Sequence, residues 1–146
     1  MKVSTKGRYG LRVMMELAER YRQGPIPVES IARNQAISGK YIHIIVMDLR
    51  SAGLVRTVRG PRGGYELARN PSSITVQEVI TALEGRTDPV DCVTNSAHCS
   101  RASRCAARDV WCGVAAAIDG VLSGITLGQL SAMQSAKAEE PTNYCI

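Results

Sequence analysis

Four of the chain's five cysteines, Cys92, Cys99, Cys105 and Cys112, fall within 21 residues, and His98 stands among them. Thiolates ligate zinc, hold iron–sulfur clusters and serve as redox switches. Six residues separate Cys92 from Cys99 and five separate Cys99 from Cys105, which is not the paired C-x2-C pattern of structural zinc. On the chemistry alone, zinc, a thiol switch and an iron–sulfur cluster all stay open. The opening MKVSTKGRYG has no apolar run and no small-residue cleavage site, so it does not read as a signal peptide. The expected compartment is the reducing cytoplasm, where such a cluster points to metal or redox chemistry rather than to a disulfide framework. Cys145, alone near the end, reads as unrelated to the cluster.

A second chemistry is carried by charge. Residues 1–70 hold 13 Lys and Arg against 5 Asp and Glu, a net of +8, whereas residues 71–146 hold 5 against 8, a net of −3. The first half suits a polyanion, with a plain solvated basic surface as the competing reading. Arg59 and Arg62 sit in a turn, Arg59-Gly60-Pro61-Arg62-Gly63-Gly64, whose glycines allow close backbone approach. From there a guanidinium can reach a phosphate or a narrow minor groove. Lys40, Tyr41 and His43 fall in the first turns of a helix, where side chains meet base edges or phosphates. His43 reads equally well as an ordinary exposed histidine. There is no nucleophile elbow, phosphate loop or paired-carboxylate motif, so the chain is expected not to be an enzyme.

The elements that must position these residues follow from apolar spacing. The 146 residues are 45% hydrophobic and only 4% aromatic, with no Phe, so aliphatic side chains must fill the core. No stretch is apolar enough to cross a bilayer, and no internal repeat is evident. Leu11, Met14, Met15, Ala18 and Tyr21 predict a helix from Ser4 or Thr5 to about Gln23, stopped by Gly24-Pro25-Ile26-Pro27. A short helix with Val28, Ile31 and Ala32 on one face follows, ending near Gln35. After Ala36-Ile37, Ser38 caps a helix to about Ala52 that packs Ile42, Ile45, Val46 and Leu49 inward. Leu54–Val58 and Tyr65–Leu67 read as strands of a hairpin with a basic, glycine-rich tip. The sum is a mostly α fold with a small β wing, a winged helix-turn-helix over residues 1–70.

Beyond it, 71–104 reads as a connecting helix, with Ile74, Val76, Val79, Ile80 and Leu83 as its apolar set, and a cysteine-bearing loop. Residues 105–131 read as a long helix and a short one, and 132–146 as a polar tail. The long helix carries Val110, Trp111, Val114, Ile118 and Val121 and has nothing large of its own to pack on. Homodimerisation, with Trp111, Val114 and Ile118 against a second copy, is the natural burial and would present two recognition helices to two half-sites of an operator.

Three stretches carry a family resemblance: Ser4–Tyr9, Ile37-Ser38-Gly39-Lys40-Tyr41-Ile42, and Gly53 through Val58-Arg59-Gly60-Pro61-Arg62-Gly63-Gly64-Tyr65. With Ile74–Ile80 and Ile125–Leu130 they resemble the IscR-type family of bacterial winged-helix transcription regulators, many of which sense an iron–sulfur cluster. The resemblance spans roughly residues 1–131. It implies a regulator of double-stranded DNA whose binding is tuned by a cluster, controlling iron–sulfur assembly genes. A regulator of the same fold that senses nitric oxide or redox state, or serves cysteine metabolism, is the alternative. It further implies that Arg59 enters the minor groove, that Ser38, Lys40 and Tyr41 contact DNA, and that Cys92, Cys99 and Cys105 hold the cluster. At position 43 this chain has His43 where the family's best-known member has an acidic base-reading residue.

The resemblance breaks at the fourth ligand. The family's best-known member has a histidine ligand three residues after the last cysteine, and here that residue is Arg108, which cannot ligate iron. A [2Fe–2S] cluster, the expected cofactor with [4Fe–4S] as the alternative, needs four terminal ligand positions. Asp109, four residues beyond Cys105, is ranked first for the vacancy, His98 second and Cys112 third.

Overall fold

The computed structural model describes residues 3–86 and 88–139. Among them are seven α-helices, three short 3-10 turns and one two-stranded antiparallel sheet. Helix α1 (Thr5–Glu19) starts where the Ser4 hydroxyl accepts from the Gly7 N–H. It ends short of the expected Gln23, in a turn where Arg22 takes φ 65°. Helix α2 (Val28–Gln35) is closed by Ala36 in the left-handed region, at φ 53°. Helix α3 (Gly39–Ser51) starts from the Ser38 cap, and its expected inward set, Ile42, Ile45, Val46 and Leu49, is buried.

Strands β1 (Val55–Val58) and β2 (Gly64–Leu67) pair with Val55 opposite Leu67 and Val58 opposite Gly64, making the wing. Tyr65 is also bridged to Ile26, through Ile26 N–H to the Tyr65 carbonyl at 2.8 Å and Tyr65 N–H to the Ile26 carbonyl at 2.9 Å. The wing is thereby fastened to the segment leading into α2. Val13, Met14 and Leu17 of α1, Ile31, the α3 set, Leu54, Val55 and Leu67 form one continuous aliphatic core. Glu16, 5% exposed, is held in that interior by amides. Its carboxylate accepts from Asn34 Nδ2 and Gln35 Nε2, each at 2.7 Å, so α1 and α2 are tied by a satisfied polar contact.

Helix α4 (Val76–Glu84) packs across α1 and α3. It comes so close to α1 that a methyl added at Gly10 would lie 2.1 Å from Leu83 Cδ1. The Thr75 hydroxyl accepts from the Glu78 N–H, and the Glu78 carboxylate accepts from the Thr75 N–H, a reciprocal capping box. After α5 (Asp91–Thr94), α6 (Ala106–Gly124) extends 19 residues, about 28 Å. The chain then returns as α7 (Leu127–Glu139), which lies against α1 and the 3-10 turn Pro71–Ser73. Helix α7 thus continues through residues 132–139, which sequence alone places in a tail. Its first turn repeats the α4 cap, with Thr126 and Gln129 exchanging hydrogen bonds at 2.9 and 3.2 Å. The segments that lead into α4 and α7 also form an antiparallel bridge, Thr75 to Thr126, with Val76 N–H donating to the Ile125 carbonyl and Leu127 N–H to the Ile74 carbonyl.

Candidate nucleic-acid interface and thiol loop

The start of α2, His43 of α3 and the wing enclose a cleft lined by Pro27, Val28, Glu29, His43, Thr57, Val58, Arg59 and Tyr65. Ser38 is exposed, with its hydroxyl engaged in capping α3 by accepting from Tyr41 N–H at 3.3 Å. Lys40 and His43 are exposed on the first turns of α3, as the sequence predicts. Tyr41 is half-buried, edge-on to Tyr9 with ring centroids 6.2 Å apart, so it braces α3 on α1 as much as it faces outward. Arg59 and Arg62 are exposed at the wing tip.

His43 is not free to turn. Its Nδ1 lies 2.6 Å from the Tyr65 hydroxyl, and the rings meet edge-to-face at 5.9 Å. Burial raises the Tyr65 phenol above its ordinary pKa, an effect the nearby Arg50 charge partly offsets, so the hydroxyl keeps its proton in neutral solution. The bond therefore couples α3 to the wing, a link that sequence spacing could not reveal.

The electrostatics favour an anionic partner. Lys6 pairs with Asp48, Arg56 with Glu66 and Arg69 with Glu78. Among the described residues, Lys40, Arg59 and Arg62 make no ion pair, which leaves their charge available to phosphates.

The thiols lie together in sequence but are not gathered on one centre. Cys92 is in α5, Cys99 follows the 3-10 turn Ser96–His98, and Cys105 is the N-cap residue immediately before α6. These three and Cys112 are free and half-buried. Among the described residues no three His, Cys, Asp or Glu side chains converge as a metal site. Asp109 is exposed in the first turn of α6. The side chain of His98 and the whole of Cys145 lie outside the described residues. Arg108 donates from Nε to the Cys92 carbonyl at 2.9 Å and lines a cavity with Cys99, Ser100 and Ser103. It joins α5 to the start of α6. In kind the donor set fits an iron–sulfur cluster, since three unpaired, half-exposed thiols in one short segment are the ligands such clusters take. Cys112 is half-buried on the stripe of α6 that also carries Arg108, Ala115 and Leu122.

The opposite face of α6 exposes Val110 (63%), Trp111 (41%), Val114 (38%) and Val121 (61%). Ile118, grouped with Trp111 and Val114 by its spacing, is instead half-buried beside Asp119, which accepts from Gln77 Nε2 on α4 at 3.0 Å. Sequence spacing does not single out Ile44 and Met47, exposed on α3, because the run Ile42-His43-Ile44-Ile45-Val46-Met47 is apolar on nearly every side.

Comparison with known proteins agrees with this anatomy. The family model described as "Rrf2: Iron-dependent Transcriptional regulator" matches residues 3–133. The chain is 38% identical over 139 residues to the HTH-type transcriptional regulator CymR of Bacillus subtilis, covering 95% of this chain and 96% of that one. It is also 38% identical over 130 residues to the HTH-type transcriptional regulator IscR of Aliivibrio salmonicida, covering 89% and 77%. Among solved structures it is similar to CymR, the global cysteine regulator of B. subtilis, with a TM-score of 0.78 at 38% identity, covering 91% and 98%. T. potens IscR matches with a TM-score of 0.73 at 38% identity, covering 99% and 95%.

Proposed function

This chain belongs to the Rrf2 family of transcriptional regulators, and from that premise we propose that it binds a double-stranded DNA operator as a homodimer, with an iron–sulfur cluster tuning the binding. Its targets on this reading are genes of iron–sulfur cluster assembly. The observation that carries it is the pairing of two surfaces: unpaired cations on α3 and the wing, and three free thiols at the root of α6.

Each residue then has a role. Lys40, Arg59 and Arg62 neutralise phosphates, with Arg59 reaching into the minor groove, and Ser38 and Tyr41 hold the start of α3 against the backbone. His43, oriented by Tyr65, meets a base edge. The apolar stripe of Val110, Trp111, Val114 and Val121 is buried against a second copy, which sets the distance between the two recognition helices. Cys92, Cys99 and Cys105 would hold a [2Fe–2S] or [4Fe–4S] cluster, with Asp109 or His98 as fourth ligand. When bound, it supplies iron–thiolate bonds that respond to iron supply and oxidants. Arg108 holds the Cys92 segment to α6, so the state of the loop bears directly on the helix that spaces the two DNA-binding domains.

Two observations favour a second reading, a regulator of cysteine metabolism or of thiol redox state. The thiols do not converge among the described residues, and the match to the solved structure of a global cysteine regulator covers 91% of this chain. One experiment separates the readings. Protein purified without oxygen is expected to show sulfur-to-iron charge-transfer bands and acid-labile sulfide, and its operator affinity should change when the iron is chelated. A colourless, iron-free protein that binds the same operator with or without chelator overturns the cluster and leaves the second reading.

A further inference from the structure

The outward face of α3 carries two apolar side chains that neither the core nor the proposed phosphate contacts use. Ile44 is 48% exposed and Met47 60% exposed, on the side opposite the buried Ile42, Ile45, Val46 and Leu49. With Lys40 and His43 they stand at i, i+3, i+4 and i+7, a single stripe along the helix. The polar members of this region are engaged, His43 by the Tyr65 hydroxyl and Ser38 by the α3 cap, and Tyr41 leans on Tyr9. Ile44 and Met47 are left as an aliphatic patch on the same stripe as the unpaired Lys40 and as His43, which lines one cleft with Arg59 of the wing.

What covers such a patch is decided by its surroundings. Flanking cations draw phosphates, and a helix seated between two phosphate rows presents its stripe to the edges of the bases. Those edges are polar except at one feature, the C5 methyl group of thymine. An aliphatic side chain pressed on N7, O6 or N4 would strip water from a polar atom and return no hydrogen bond. Pressed on a methyl, it removes apolar surface from water on both sides.

We propose that Ile44 is a specificity-determining residue that reads a thymine methyl in the major groove, and that Met47 extends the same apolar contact along the groove. The inference rests on the DNA-binding reading and adds to it the base that the apolar stripe selects. His43 supplies the polar half of the same readout, on an edge that Tyr65 orients.

The test removes one methyl. Duplexes bound by the full chain are selected from a random pool at moderate salt, and each thymine of the selected site is then replaced in turn by deoxyuridine. One thymine in each half-site is expected to be sensitive, its replacement weakening wild-type binding about fourfold, the factor corresponding to about 0.8 kcal/mol for one buried methyl. The same replacement should make no difference in Ile44→Ala and should keep its full effect in His43→Ala. Because Ile44 is half outside the core, Ile44→Ala should retain the wild-type circular dichroism and melting. Selected duplexes that bind tightly with no uracil-sensitive thymine, or a sensitivity undiminished in Ile44→Ala, overturn the inference and leave DNA binding standing. A selection that enriches no duplex overturns the DNA reading and the inference together.

Discussion

Replacing Gly64 with alanine tests how the wing is held. A Cβ at this position would fall 2.2 Å from the Ile26 carbonyl oxygen, 2.4 Å from its carbon and 2.8 Å from Pro27 N, and the residue's φ is +158°. All three obstacles are backbone atoms, so no side chain can swing aside. Making room means separating Ile26 from Tyr65 and losing the two hydrogen bonds at 2.8 and 2.9 Å that join them. Each contributes about 0.5–1.5 kcal/mol, and the strain left behind adds about 1–3 kcal/mol, for a total near 4 kcal/mol. In a domain of this size that lowers the melting temperature by roughly 8–16 °C. Urea unfolding followed by circular dichroism should show the midpoint displaced at an unchanged slope. Operator affinity should fall as well, because moving Tyr65 frees His43. Gly60→Ala is the control: φ is +118° but nothing lies within 4 Å, so only backbone strain of about 1 kcal/mol applies. If Gly64→Ala is as stable as the parent within about 0.5 kcal/mol, the bridge between wing and α2 does not hold the hairpin in place.

Arg59→Ala should weaken operator binding by about 1–3 kcal/mol with melting unchanged, and an unaltered gel shift at moderate salt would refute the wing contact. Lys40→Ala should lower the salt dependence of binding by about one unit. Val121→Asp places a charge where the side chain is 61% exposed in the single chain, so the fold should survive while the dimer loses several kcal/mol; a dimer persisting in sedimentation at micromolar concentration would put the contact elsewhere. Anaerobic iron content should be lost in Cys92→Ala, Cys99→Ala and Cys105→Ala and reduced more by Asp109→Ala than by Cys112→Ala; bleaching by Cys112→Ala alone would invert the ligand order. For Glu78, burial acts to raise the pKa, but hydrogen bonds from Arg69 and the Thr75 backbone outweigh it, leaving the carboxyl below its ordinary 4.5. The stability it adds is present above that value and is lost as the pH falls through the lower folded value, so Glu78→Gln should flatten the acid side of a melting-against-pH profile.

Periodicity made most of the first half legible. Helices α1 to α3 bury the side chains their spacing selects, because one face of each meets a single core, and the wing follows from β-favouring runs around a glycine-rich turn. The end of α1 comes earlier than its spacing suggests because Tyr21 continues the apolar pattern past the last helical turn, into a segment stopped by the left-handed Arg22. Residues 91–104 offer no periodicity, and the turns they form depend on local bonds such as Asn95 Oδ1 accepting from Ala97 N–H. The length of α7 is hidden for the opposite reason, since it is polar along most of its exposed surface and only its first residues reach the core. In the candidate site, residue types alone point to Lys40, Arg59 and the thiols. The His43–Tyr65 bond and the Arg108 contact to Cys92 join residues 22 and 16 apart, and no local pattern encodes them.

The bridge between Thr75 and Thr126 has a consequence for the order of assembly. Its two residues are 51 positions apart, and Ile74 and Leu127, which sit beside it, are both completely buried. During synthesis, α1 and the wing leave the ribosome long before Leu127 exists, so the face of α1 reserved for α7 must wait uncovered. A nascent chain arrested before residue 126 should therefore be a loosely closed domain, open to proteases along α1 and a poor binder of DNA. Closing that 51-residue interval is the step that converts it to the finished fold, and it cannot begin until the thiol segment and the whole of α6 have been made.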